Sequence, residues 1–223
     1  MKKDTTELVF LLDCSGSMHG LEADTIGGFN GMLETQKAEA GEAYVSTVLF
    51  DHETRVLHDR IPIGTVAPLT ERDYLVRGST ALLDAVGGAI RHIGNVHRYI
   101  RPEDVPEHTL FVIITDGMEN ASHKYSLREV KRMIERQKEQ FGWEFLFLGA
   151  NIDAVQTAGS FGISEDFAAD FCNDSEGTAL NFKCVSQAIH SVRMAEPLSG
   201  DWKAEIEEDY KKRGRKKRPH RRT

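Results

Sequence analysis

Three short stretches of this 223-residue chain gather oxygen-bearing side chains. Asp13, Ser15 and Ser17 alternate in D-C-S-G-S, Thr80 lies in R-G-S-T-A-L-L-D-A, and Asp116 lies in I-I-T-D-G. Carboxylates and hydroxyls are hard donors of the kind Mg²⁺ takes into an octahedral shell while keeping some water. Gly16 lets the backbone bend tightly between the two serines. A second acid is missing from that turn, and Asp116 supplies it if the fold brings it near. Helix capping is the competing use of Ser17 and Thr80, since each stands where an N-cap belongs.

Asp13 and Asp116 each end an apolar run, and those runs say where the two acids go. Leu8 to Leu12 is continuous and short, as in a strand buried on both faces, and Leu110 to Thr115 and Phe145 to Leu148 read the same way. Tyr44 to Phe50 and Thr54 to Ile63 flank an F-D-H-E-T turn, which predicts an antiparallel pair. A weaker strand is expected near Phe167 to Cys172.

Helical spacing fills the gaps. It joins Ile26, Phe29 and Leu33, then Leu82, Val86, Ile90 and Ile93, then Leu127, Val130, Ile134 and Phe141, and last Val185, Ala188, Ile189 and Val192. The third segment opens on a Ser126-x-x-Glu129 capping box and closes at Gly142. Gly27-Gly28 and Gly87-Gly88 interrupt helical patterns at a cost of roughly 1 kcal/mol each, which predicts close helix-to-sheet packing there.

Strand and helix in alternation predict an α/β fold, a doubly wound, Rossmann-like, mostly parallel sheet with one antiparallel edge strand and helices on both faces. Ligands of such sheets sit beyond the carboxyl ends of the strands, where strand order reverses. With the order 3-2-1-4-5-6, Asp13 and Asp116 end on neighbouring strands.

D-x-S-x-S after a first strand, Thr80 in G-S-T-A-L-L-D-A and Asp116 in I-I-T-D-G together resemble the metal-ion-dependent adhesion site of von Willebrand factor A domains. The resemblance runs over roughly residues 5 to 197, and F-L-F-L-G-A-N-I-D-A is similar to small intracellular bacterial or phage members. It implies that Ser15, Ser17 and Thr80 touch the ion directly while Asp13 and Asp116 act partly through water. It also implies that an Asp or Glu of a partner protein completes the shell, with Mg²⁺ the expected ion and Mn²⁺ or Ca²⁺ as alternatives. The helix at about 178 to 195 is then expected to slide between two states. Glu119, next to the site in D-G-M-E-N-A-S, is expected at the rim, where it would tune partner choice by repelling carboxylates.

Other chemistries find less support. Cys14 near a helix start is a conceivable nucleophile, but no Arg follows at phosphate-loop spacing. The cysteines Cys14, Cys172 and Cys184 show no zinc spacing, and the nine histidines contain no H-E-x-x-H. D-C-S-G-S lacks the first Gly of a nucleophile elbow, and no Gly-rich phosphate cradle occurs. A metal-assisted hydrolase needs a general base beyond Asp13 and Asp116, and none is evident. The chain is therefore expected not to be an enzyme.

Charge divides the chain. Nine of the 28 Lys and Arg fall in residues 211–223, leaving 19 bases against 35 acids before them. An acidic body argues against a nucleic-acid face on the folded part. The reading is one domain over 1–198 and a basic, disordered tail over 199–223, open to nucleic acid or another acidic surface, which leaves a tethered scaffold as an alternative. No stretch approaches the about 20 apolar residues of a membrane span, and sparse cysteines suit a reducing compartment, so a cytoplasmic place is expected.

Overall fold

The computed structural model describes residues 1–213. In chain order the main elements are β1 (Lys2–Asp13), α1 (Glu22–Lys37), β2 (Glu42–Phe50), β3 (Thr54–Pro62), α2 (Leu82–Tyr99), β4 (Pro106–Thr115), α3 (Leu127–Phe141), β5 (Glu144–Gly149), α4 (Ala154–Ser160), β6 (Ala168–Asp170), α5 (Ser175–Arg193) and α6 (Ala204–Arg213). The strands form one sheet in the order β3-β2-β1-β4-β5-β6. All neighbours are parallel except β2 and β3. This is the Rossmann-like α/β arrangement the alternation predicts.

Alternation along β1 builds both cores. Leu8, Phe10 and Leu12 face Phe29 of α1 and Val185 and Ile189 of α5 on one side, while Val9 and Leu11 face Val86 and Ile90 of α2 and Val130 of α3 on the other. Helix–helix and helix–loop contacts, rather than helix–sheet packing, account for two of the paired glycines. A Cβ on Gly28 would strike the Phe182 ring at 2.3 Å, and one on Gly87 would meet the Tyr125 ring at 2.6 Å.

Helix α3 begins with the predicted capping box and ends at Gly142 with φ 65°. Only Val130 and Ile134 of its expected apolar face are buried, and Leu127 and Phe141, its first and last residues, are exposed.

The expected domain boundary at 198 is corrected. Residues 200–203 form a 3-10 turn leading into α6, and Trp202 and Ile206 are buried against the α1/α5 core. Two apolar residues inside a strongly charged segment are a weak sequence signal, yet they bury enough surface to hold a helix. Residues 214–223 of the expected disordered basic tail lie outside the described residues. Among the described residues no helix is long and apolar enough to cross a membrane.

Candidate metal centre

Leu12 of β1 pairs with Ile114 of β4, so Asp13 and Asp116 leave adjacent parallel strands at the same end of the sheet. Asp13, Ser15, Thr80 and Asp116 are each no more than 3% exposed, while Ser17 lies on the surface above them. Tyr74, also buried, donates its hydroxyl to the Asp13 carbonyl and pins the strand end from below.

The first loop is shaped by Asp13 itself. Its Oδ1 accepts the Ser15 amide at 2.7 Å and its Oδ2 accepts the Thr115 hydroxyl at 2.5 Å. Ser15 Oγ lies 3.1 Å from Ser17 Oγ, and the Ser17 hydroxyl donates to Asp116 Oδ1. The other Asp116 oxygen accepts from Asn173 Nδ2 at 3.1 Å. Neither serine caps a helix through its side chain, and α2 has Ala81 rather than Thr80 at its N-cap. The capping explanation for Ser17 and Thr80 therefore fails.

Thr80 is delivered by a braced loop. Its amide donates to Asn120 Oδ1 at 2.9 Å, and its carbonyl accepts the Asn120 amide at 3.0 Å. The Gly16 amide donates to the Gly78 carbonyl at 3.1 Å, and the Ala81 amide donates to the Asp51 carbonyl at 2.7 Å. Arg77 and His52 lie 2.8 Å and 3.2 Å from the buried Asp51 carboxylate, so a third strand-end acid steadies this loop.

Three of the five predicted residues converge on Gly117. A Cβ there would lie 2.7 Å from Thr80 Oγ1, 3.1 Å from Ser17 Oγ and 3.5 Å from Ser15 Oγ. Only a residue without a side chain leaves the three hydroxyls facing a shared space. Two carboxylates and three hydroxyls suit a hard divalent cation better than a soft one. Among the described residues no group of three or more His, Cys, Asp or Glu side chains could hold a metal.

Electrostatics agree with a cation. Burial raises the Asp13 carboxyl above its ordinary value, against the pull of the Thr115 and Ser15 donors. Burial also pushes Asp116 up to about 6, opposed by the Ser17 donor and reinforced by the nearby Asp13 charge. Two buried acids this close resist being ionised together until positive charge joins them.

One expectation changes, that for Glu119. Glu119 is no rim acid: its oxygens accept the amides of Leu83 at 2.8 Å, Ala121 at 3.0 Å and Ser122 at 2.8 Å, and the Ser122 hydroxyl at 2.7 Å. It ties the loop after β4 to the first turn of α2. Cys14 is buried and its thiol is pushed up to about 12, by burial first and then by Asp51 and Asp13, which removes it as a nucleophile. Thr115, Asn173 and Asp51 are the contributors that sequence reading misses. Of these only Thr115, a hydroxyl ending an otherwise apolar strand, left any sign in the sequence.

No family model matches the chain, and no curated protein sequence matches it. Solved structures do. A von Willebrand factor type A protein from Catenulispora acidiphila is 14% identical with TM-score 0.54, covering 84% of this chain and 43% of its own. Proximal thread matrix protein 1 from the mussel byssus, in a form described as having a zinc-occupied MIDAS motif, is 14% identical with TM-score 0.56, covering 83% and 46%. The vWF domain of the type V pili tip protein Mfa5 from Porphyromonas gingivalis is 11% identical with TM-score 0.57, covering 82% and 94%. The chain spans less than half the length of the first two. At these identities the likeness shows the fold, which is of the von Willebrand factor A type.

Proposed function

We propose that this fold serves here as a divalent-metal-dependent protein-binding module, with Asp13, Ser15, Ser17, Thr80 and Asp116 holding the ion and an Asp or Glu of a partner protein completing its shell. The observation that carries this reading is the convergence of Thr80, Ser17 and Ser15 hydroxyls on Gly117, with Asp116 bonded to Ser17. Mg²⁺ fits the donor set, and Mn²⁺ or Ca²⁺ are the alternatives. The zinc-occupied site described for the mussel protein supports the same kind of centre.

When bound, the ion supplies a positive charge that neutral hydroxyls leave poorly compensated, which favours an outside carboxylate. The chain's residues do the rest. Asp13, fixed by the Ser15 amide and Thr115 hydroxyl, orients the first loop, and Asp116, fixed by Ser17 and Asn173, orients the second. Ser17 stands at the surface, where a visiting side chain arrives. Binding rather than catalysis is favoured because Glu119, the nearest further acid in the sequence, spends its oxygens on four donors and is not free to serve as a general base. Three free, buried thiols fit a reducing compartment such as the cytoplasm.

The test has two steps. Mg²⁺ titrated into the full chain is expected to raise its melting temperature, and Asp13→Ala to abolish the rise. Proteins retained from cell extract by the wild type are then expected to be released by EDTA and not retained by Asp13→Ala. A wild type that binds no divalent ion overturns the proposal.

A further inference from the structure

We propose that Asn173 and Arg213 are positioning residues of this centre, through which the C-terminal helix α6 sets the orientation of Asp116. The inference rests on the metal-binding reading above. A carboxylate only accepts hydrogen bonds, so it is the amide Nδ2 of Asn173 that must face Asp116 Oδ2, at 3.1 Å. The other end of that amide, Oδ1, is buried with no protein donor among the described residues. Native proteins rarely leave such an atom without a role, and here it lies beside a polar centre.

Asn173 does not hold its place alone. Asp174 caps α5 by accepting the Gly177 amide at 3.0 Å. A Cβ on Gly177 would lie 2.0 Å from the Cys172 carbonyl, so the loop is pressed flat on the first turn of α5. Arg213 then clamps the loop to α6. Its Nη1 donates to Asp174 at 2.8 Å and 3.0 Å, while Nε and Nη2 each meet an Asp209 oxygen at 2.5 Å. A planar guanidinium grips one carboxylate with two fixed N–H groups while reaching a second, a geometry an ammonium matches only in part.

Helix α6 is itself anchored. Trp202 and Ile206 are buried, and Lys203 Nζ donates to the carbonyls of Glu165 at 2.6 Å and Ala168 at 3.0 Å. A continuous set of contacts thus runs from the core through α6, Arg213, Asp174 and Asn173 to Asp116. With Oδ1 held by Ser17 and Oδ2 by Asn173, the Asp116 carboxylate is fixed against rotation. Losing the Asn173 donor frees one oxygen and leaves a buried charge less satisfied.

Outer partners of metal ligands change affinity by about 10- to 100-fold when removed. Mg²⁺ affinity of the full chain, measured by calorimetry, is expected to fall about tenfold in Asn173→Ala and about fivefold in Arg213→Ala by the lower end of that range. Asp209→Asn, a second break in the clamp, shifts affinity in the same direction, and Arg213→Lys rescues it only in part. Glu208→Gln, on the exposed face of α6, leaves it unchanged.

The decisive measurement is the double variant Asn173→Ala/Arg213→Ala. If Arg213 acts through Asn173, the double variant loses no more affinity than Asn173→Ala alone, whereas unrelated losses add. Melting in EDTA reports stability separately. Additive losses, or an Arg213→Ala variant that melts lower in EDTA while binding Mg²⁺ normally, overturn the clamp and leave the metal site standing. A wild type without Mg²⁺ binding overturns both.

Discussion

Ser17 and Asp116 stand 99 positions apart in the chain and are joined by a hydrogen bond from the serine hydroxyl to the carboxylate. That bond joins the loops after β1 and β4, and it links an exposed side chain to a buried one.

Gly117 sits where these loops join, and its missing side chain is the space. Gly117→Ala places a methyl 2.7 Å from Thr80 Oγ1 and 3.1 Å from Ser17 Oγ. The expected outcome is loss of the Mg²⁺-induced rise in melting temperature, with far-ultraviolet circular dichroism unchanged. Calorimetric Mg²⁺ binding equal to that of the wild type would show that the hydroxyls do not share an ion.

The effect of pH follows from Asp116. Its folded pKa of about 6 lies above its ordinary value of 3.8, so the folded chain holds this proton more tightly than the unfolded chain does. Without metal, the stability this group contributes is full below the unfolded pKa and is lost as pH rises through about 6. A bound cation acts the other way by favouring the ionised form. The melting-temperature gain from Mg²⁺ is therefore expected to be larger near pH 7.5 than near pH 5, as the raised pKa requires. Scanning fluorimetry with Mg²⁺ or EDTA at both pH values checks this, and a gain independent of pH contradicts it.

Glu119 is predicted to matter for stability rather than partner choice. Glu119→Gln swaps one acceptor oxygen for an NH₂ group facing backbone N–H donors, and leaving such groups unsatisfied costs about 1–3 kcal/mol. Urea denaturation should show that loss. An unchanged midpoint would mean the loop and α2 are held together without it.

Trp202 tests where the folded unit ends. Its ring is buried and its Nε1 donates to the Asp166 carbonyl at 2.9 Å. Trp202→Ala is expected to cost about 3–5 kcal/mol, as for other large-to-small core changes. Truncation after residue 198 should be at least as damaging, both read by urea denaturation. A truncated chain as stable as the full one would return the boundary to 198.

The parts legible in sequence were those written in local pattern. Five consecutive apolar residues ahead of Asp13 mark a strand buried on both faces, and Ser126 with Glu129 marks the start of α3, as the structure has it. Period could not reveal that Leu127 and Phe141, at the helix ends, are left exposed. Composition could not reveal α6, because Trp202 and Ile206 are two apolar residues among many charges. Proximity in sequence misplaced Glu119, whose neighbours in space are the first turn of α2 and its own loop.

The sequence by itself determined the donor types, three hydroxyls and two acids on three loops, and the alternation of strand and helix that puts those loops at one end of a parallel sheet. Ligand chemistry and strand periodicity are local properties, carried by each residue and its near neighbours. Only the tertiary structure decided which groups hold the ligands still: Thr115 on Asp13, Asn173 on Asp116, Asp51 under the Thr80 loop and Arg213 behind Asn173. Those contacts join residues from different strands and helices, and no spacing along a chain encodes a distance between elements that only packing brings together.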